Sequence, residues 1–282
     1  MSGHRAAFRP RCGAPAGIAR LRPVAVKLCA AILAFGLLAL APAKASSEPS
    51  LAGASAAPIR ILPLGDSITQ GGRRDRLEYS YRYPLYFMLA KAGYRVDFIG
   101  SLTTGLEADA VWPDRDGIAF DPDHEGHYGW TTAQVAEKLP GWMAKYPSPP
   151  DVALIHLGSN DYGHLNYYAS IIRPLVRIIG TLRSANPRIV ILISLLNENG
   201  HRSWIVRQLL KALVWWSNSE TSPVAAVDHN SGWREDPADP LTDTFDGAHP
   251  NLRGQEKMAA AWFSKLTPFL DRIRERRQQP TQ

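Results

Sequence analysis

The chain has 282 residues and a formal charge of +6, but seven of its 32 Lys+Arg and none of its 26 Asp+Glu lie in the first 45 residues. The remainder, with 25 basic and 26 acidic residues, is near neutral and gives no electrostatic reason to expect nucleic acid or anionic lipid as a partner. Both cysteines, Cys12 and Cys29, also lie in that first segment, which excludes a disulfide, a Cys-ligated metal or a cysteine nucleophile beyond it.

Residues 1–45 read as a signal peptide. Arg5, Arg9, Arg11, Arg20, Arg22 and Lys27 precede the apolar run 28–40, and Ala43-Lys44-Ala45 places small residues where a signal peptidase cuts. The run is shorter than the roughly 20 residues of a spanning helix. A secreted or periplasmic protein with no stable membrane anchor after cleavage is therefore expected. An uncleaved anchor is the competing reading, and the long basic stretch leaves a downstream start codon open. Residues 46–58, rich in Ser, Ala, Pro and Gly, read as a flexible lead-in, 59–277 as one domain and 278–282 as a tail.

In chain order, Ile59–Leu64 is a predicted strand, and Gly65-Asp66-Ser67-Ile68 follows it. Ser67 thus sits just past a strand end, as a candidate nucleophile or as an ordinary turn or N-cap serine. No Gly-x-Ser-x-Gly elbow occurs anywhere, which argues against an ordinary α/β-hydrolase. A helix is predicted over Tyr81–Ala92, stopped by Gly93, then a strand over Val96–Ile99. The long irregular stretch Ser101–Tyr128 reads as a cleft wall. Within it, Asp121-Pro122-Asp123-His124-Glu125-Gly126-His127 lacks the helical two-histidine spacing of a zinc protease. It is read as a hydrogen-bonded buttress for the turn at Gly129, with no metal assigned.

A helix over Thr132–Lys145 and a strand over Val152–Leu157 lead to Gly158-Ser159-Asn160-Asp161, a second strand-end turn. Next come a helix over Tyr168–Ser184, stopped by Asn186-Pro187, a strand over Ile189–Ile193, a helix over Ser203–Ser217 and a strand over Val224–Val227. In the last of these helices the stripe Trp204, Leu209, Leu210, Leu213, Val214 and Trp216 reads as core or interface. The sequence then offers Asp246-Gly247-Ala248-His249-Pro250-Asn251, with Asn251 as N-cap of a helix over Leu252–Arg277 whose basic end suits the dipole.

This alternation predicts an α/β fold with a parallel sheet covered on both faces, and ligands in such folds bind outside the carboxyl ends of the strands. Ser67 and Asn160 both follow such ends. A serine, an imidazole (His249) and an acid three residues before it (Asp246, with Asp243 as its rival) suffice to make an alkoxide-like nucleophile. Asn160 and the backbone amides of Ser67 and Gly129 are candidate donors to a developing oxyanion. Trp112, Tyr128 and Tyr162 are candidate sugar-stacking residues, with plain loop packing as the competing reading. No phosphate-cradling loop or nucleotide fingerprint occurs, so no cofactor is expected.

Ser67, Gly129, Asn160 and His249 match, in order, the four blocks of the SGNH (GDSL-type) hydrolases, which the chain resembles over essentially its whole mature length. It is similar, more narrowly, to carbohydrate esterase family three, the secreted acetyl xylan esterase group. That likeness rests on Gly65-Asp66-Ser67-Ile68-Thr69 with Ser80-Tyr81-Arg82 and on Asp123-His124-Glu125-Gly126-His127-Tyr128-Gly129-Trp130-Thr131. It extends to Ile155-His156-Leu157-Gly158-Ser159-Asn160-Asp161 and to Asp246-Gly247-Ala248-His249-Pro250-Asn251-Leu252-Arg253-Gly254. Two residues depart from the group: Tyr128 stands where it tends to have proline, and Ser159 where it tends to have threonine. The resemblance implies a flavodoxin-like three-layer α/β/α sandwich of about five strands and cofactor-free ester hydrolysis. The substrate expected from it is an acylated, chiefly acetylated, carbohydrate. The competing functions are a lysophospholipase- or thioesterase-type carboxylesterase, a polysaccharide O-acetyltransferase, and a non-catalytic carbohydrate-binding surface protein. The oligomeric state is not specified by the sequence.

Overall fold

The computed structural model of the chain describes residues 57–161 and 165–279. The leader, most of the lead-in and Tyr162 lie outside the described residues. Five strands form one parallel sheet: β1 (Ile59–Gly65), β2 (Val96–Phe98), β4 (Val152–His156), β5 (Val190–Leu195) and β6 (Val224–Asp228), in the order β2-β1-β4-β5-β6. A two-residue strand, β3 (Glu125–Gly126), adds to the end of β1 through Leu64 and Gly65. Between them run α1 (Ser67–Gln70), α2 (Arg82–Lys91), α3 (Thr132–Met143), α4 (Arg173–Ala185), α5 (Gly200–Ser217) and α6 (Leu252–Gln278). Among the described residues no helix is long and apolar enough to cross a membrane.

The strands are apolar on both faces because both faces are covered. Side chains alternate along a strand, so Leu62, Leu64, Ala153, Ile155, Ile191 and Ile193 pack with α3, α4 and α5. Ile59, Ile61, Val152, Leu154, Val190 and Leu192 pack with α2 and α6. The result is the three-layer α/β/α sandwich that the β-α alternation predicts. The sheet order reverses between β1 and β4, and at such a switch point the connections leave in opposite directions and open a crevice.

Three differences from the predicted elements have local causes. The helix predicted over Tyr168–Ser184 begins as a π turn, Tyr168–Ile172, in which Arg173 N–H bonds Tyr168 O five residues back. Pro174 has no N–H to give to the regular ladder just beyond it. Trp204 and Trp216 are not core residues. The buried line of α5 runs through Ser203, Val206, Leu210, Leu213 and Ser217, and a neighbour one residue away is turned about 100° off that line. Trp204 and Trp216 are accordingly 54% and 69% exposed. The four-residue α1 and the two-residue β3 are too short to carry a periodic signal.

Two histidines are buried on the sheet's periphery. His229 bonds Ser194 Oγ through Nδ1 at 2.7 Å and packs edge-on against Trp262, and burial depresses its pKa to about 3. His124 is held well below the ordinary range by burial first and by Arg82 second. A histidine kept neutral when folded takes up a proton only on unfolding below about pH 6.5, so its stabilising contribution is present above that pH and is lost as pH falls. The advantage of the wild type over His229→Gln in urea unfolding is therefore expected to shrink by about 2 kcal/mol between pH 7 and pH 5. A constant difference across that range would show that His229 is not held neutral.

Candidate active site

Ser67 is placed by an abrupt strand-to-helix turn. β1 ends at Gly65, where an added Cβ would lie 2.1 Å from Thr69 Oγ1 and 2.6 Å from the His156 carbonyl, so no side chain fits. Asp66, fully buried, is the N-cap of α1 and accepts from Ile68 N–H at 3.1 Å. Ser67 is the first residue of that helix, so its own amide has no intrahelical acceptor.

A one-turn helix leaves its carbonyls unpaired unless something else binds them, and here the Ser80-Tyr81-Arg82 motif does so. Ser80 Oγ donates to the carbonyls of Ile68 and Thr69 at 2.9 and 2.8 Å, from a backbone held at φ 67°. Arg82, fully buried, donates to Thr69 O (2.7 Å), Gln70 O (3.0 Å) and Pro122 O (2.7 Å). Burial lowers its pKa to about 10, which still leaves the guanidinium charged near neutrality. Tyr81 closes the set with its hydroxyl 3.2 Å from Thr69 Oγ1.

The segment before α3 is fastened to the same turn. His127 N–H donates to Gly65 O at 3.0 Å, and Tyr128 N–H to Gln70 Oε1 at 2.8 Å. The acidic-imidazole run behind it is a hydrogen-bonded buttress. Asp121 accepts from the Phe98 and Asp123 amides, Glu125 from Ser101 and His127, and His124 Nδ1 from Gly126 N–H. The His127 ring also packs against both Trp130 and Trp142, which touch each other. Among the described residues no group of three or more His, Cys, Asp or Glu is arranged to hold a metal ion. Gly129 is exposed at φ 78°, and its amide joins none of these bonds among the described residues.

The second strand-end turn locks onto that segment from the other side. Asn160 donates one amide hydrogen to Trp130 O at 3.0 Å, and its other amide hydrogen has no acceptor among the described residues. Asp161 accepts from both Thr132 N–H and Thr132 Oγ at the start of α3. Residues far apart in sequence, Ser67, Gly129 and Asn160, are thus tied into one rim through Gly65, Gln70 and Trp130.

The loop before α6 brings the imidazole. His249 Nε2 lies 3.0 Å from Ser67 Oγ, and its Nδ1 lies 2.9 Å from Asp246 Oδ2. Asp246 also accepts from the Ala248 and His249 amides through Oδ1, at 3.1 and 2.8 Å. Burial alone would raise its pKa, but the bonds from His249 and Arg76 outweigh that and hold it well below the usual carboxylate range. Asp243, the rival acid, is fully buried and differently engaged. It accepts from Arg234 N–H at 2.8 Å and pairs with Lys257 and Arg253, pinning the loop to α6.

Among the candidate sugar-stacking residues, Tyr128 lies against the imidazole, stacked on His249 with centroids 5.2 Å apart. Trp112 donates to Tyr79 O and packs on Phe120, while an edge of it lines a cavity of about 260 Å³ shared with Arg73, Arg76, Glu78 and Tyr79. A second, more open hollow of about 560 Å³ adjoins the Asn160 side, lined by Thr131, Asp161, Asn166 and Ala169 among others. Arg76 and Glu78, which stand behind Asp246, went unread in the sequence because nothing in a charged loop signals a contact 170 residues away.

The sequence model of the GDSL-like Lipase/Acylhydrolase family matches residues 64–257. Among curated proteins, a multidomain esterase of Ruminococcus flavefaciens is 27% identical over 263 residues, covering 84% of this chain. The chain spans about a third (32%) of that relative's length. Among solved structures, a carbohydrate esterase family 3 protein from Talaromyces cellulolyticus superposes with TM-score 0.62 at 28% identity, covering 76% of this chain and 99% of that one. A mutant acetyl esterase solved with an acetate ion gives TM-score 0.62 at 27% identity over the same shares.

The α1 carbonyls give a test of how the Ser67 turn is held. Arg82→Met should lower the unfolding free energy by about 2 kcal/mol, because the half-buried carbonyls of Gln70 and Pro122 lose their donor while Thr69 O keeps only its bond from Ser80 Oγ. Urea denaturation checks this; a loss under about 1 kcal/mol would mean that water or a neighbour takes over the guanidinium's bonds.

Proposed function

The chain belongs to the GDSL-like lipase/acylhydrolase family and is a serine ester hydrolase, and on that footing we propose that it removes acetyl groups from polysaccharide hydroxyls through an acyl-Ser67 intermediate. The observation that carries this reading is the unbroken hydrogen-bonded line Asp246–His249–Ser67, with spacings of 2.9 and 3.0 Å.

In this mechanism Asp246 selects the tautomer with Nδ1 protonated, so that Nε2 accepts the Ser67 proton as Oγ attacks the ester carbonyl. Charge developing on the carbonyl oxygen is received by the Ser67 and Gly129 amides and the free hydrogen of Asn160. The imidazolium then protonates the departing sugar hydroxyl as the C–O bond breaks and the acyl-serine forms. Water enters, His249 takes its proton, and collapse of the second tetrahedral intermediate returns the proton to Ser67 and releases acetate.

Two features favour a small acyl group on a hydroxyl-rich alcohol over a lipid. The cavity that Arg76 and Glu78 line is walled by Arg73, Arg74 and Asp109 together with Leu77, Val111 and Trp112. Charged groups set beside an aromatic ring match the hydroxyl edges and apolar faces of a sugar. The structural relatives point the same way, since one is a carbohydrate esterase and another an acetyl esterase holding acetate. Export by the leader read in residues 1–45 would place the enzyme with such polymers.

Ser67→Ala should reduce p-nitrophenyl acetate turnover by about 10⁴-fold or more with an unchanged circular dichroism spectrum, and Asn160→Ala by about 10²–10³-fold, mostly in kcat. An active Ser67→Ala enzyme would remove the nucleophile assignment. Acid release from acetylated xylan, a lysophospholipid and an acyl thioester, compared side by side, tests the substrate class. Preference for either of the latter two would refute the polysaccharide reading.

A further inference from the structure

Asp246 is 39% exposed at the side chain, on a surface loop. An acid that orients a catalytic imidazole is effective when it is buried and fixed, and water competes for an exposed carboxylate. What stands in for burial here is a guanidinium. Arg76 Nη1 lies 2.9 Å from Asp246 Oδ2, the same oxygen that bonds the His249 ring, and Arg76 Nε lies 2.9 Å from Glu78 Oε2. Arg76 is itself confined: its side chain is 15% exposed and its guanidinium lies 5.0 Å from the centre of the Phe245 ring. Glu78 is nearly fully buried, and its Oε1 has no hydrogen-bond partner among the described residues.

We infer that Arg76, held by Glu78, is a positioning residue for Asp246, and that the pair sets how readily His249 becomes charged. This rests on the Asp246–His249–Ser67 reading of the site. The line Glu78–Arg76–Asp246–His249 places −, +, − and a titratable group in succession. The positive Arg76 shares Oδ2 with the imidazole, so it fixes the carboxylate plane and opposes an imidazolium. Glu78 offsets that positive charge, and its charge also interacts directly with His249. Burial raises the Glu78 pKa, while the His249 and Arg76 charges oppose the rise. The other groups facing His249 are Ser67 from α1 and the Tyr128 ring from the segment before α3, whose hydroxyl has no hydrogen-bond partner among the described residues and feels the Arg73 and Arg76 charges. Tyr128 is pushed upward by burial and stays neutral across the working range.

The two charges act on His249 with opposite signs, which a merely structural role would not produce. The experiment is the pH profile of kcat/KM on p-nitrophenyl acetate for the wild type, Arg76→Gln, Arg76→Lys and Glu78→Gln, with circular dichroism as the folding control. Arg76→Gln should lower kcat by about 10–100-fold with KM within about twofold, and should move the acid limb up by about one pH unit. Arg76→Lys should return the limb towards the wild type. Glu78→Gln should move it down by about half a unit. Limbs that stay put, or move in the same direction in the Arg76 and Glu78 variants, would overturn the inference. If Arg76→Gln does not fold, the Arg76→Lys and Glu78→Gln limbs decide, and an unmoved limb in Glu78→Gln overturns it alone. An inert Ser67→Ala with unmoved limbs would refute only the role of Arg76 and Glu78, whereas an active Ser67→Ala would refute the triad itself.

Discussion

The buried guanidinium of Arg82, bound to the carbonyls of Thr69, Gln70 and Pro122, is the constraint on which the site rests. A single helical turn does not form on its own, since nucleation fixes several residues for one hydrogen bond. α1 persists because both its ends are satisfied from outside: Asp66 caps the first turn, and Ser80 and Arg82 receive the last carbonyls. The cost of burying a cation is met by three strong acceptors and by the nearby Asp121 and Asp123 charges. The Ser80-Tyr81-Arg82 motif is therefore a device for aiming Ser67, although it lies 13 residues or more downstream.

Topology does the rest. The sheet order turns back between β1 and β4, so the loops after those two strands face each other across a crevice. Ser67 leaves one strand end and Asn160 the other, while β3 pairs with β1 and thereby brings in the segment that carries Tyr128 and Gly129. On the structural side of this rim, Gly65 O, Gln70 Oε1, Trp130 O and Asp161 Oδ2 each accept a bond from a neighbouring segment. On the crevice side, the Ser67 and Gly129 amides and the second amide hydrogen of Asn160 have no acceptor among the described residues. Such a division is what electrostatic preorganisation requires, because the donors need not reorganise when charge appears.

Much of this was legible in the sequence because it depends on local pattern. The five long strands fall within one or two residues of their apolar runs, and the α2, α4 and α6 boundaries follow Gly93, Asn186 and Asn251. Ser67 and Asn160 follow the ends of β1 and β4, which periodicity locates, and Gly129 shortly precedes α3, whereas Asp246 and His249 lie in the irregular loop before α6. What escaped depends on three-dimensional fit. α1 and β3 are shorter than any period, and the π turn depends on how Pro174 meets its ladder. The exposure of Trp204 and Trp216 depends on which face of α5 the sheet takes. Arg76 and Glu78 look like ordinary surface charges until the loop before α6 folds over them.

The same fit explains why Asp246 and Asp243, three residues apart, have different work. Asp243 is sealed beneath the loop, where pairing with Lys257 and Arg253 and acceptance from Arg234 N–H use its charge to fix the chain's path. Asp246 sits at the tip, with Gly247 at φ 86° allowing the loop to double back so that both its own carboxylate and the His249 amide and ring converge. A carboxylate buried as deeply as Asp243 and paired with two cations would have little negative charge left to steady an imidazolium. One left open as Asp246 would have it dispersed into water. Placing Arg76 against the exposed one, and Glu78 behind Arg76, gives an intermediate condition: the acid is fixed by a cation whose own charge is partly cancelled. Arg76 thus holds the carboxylate that bonds the imidazole, and Glu78 tempers the charge that Arg76 brings to it.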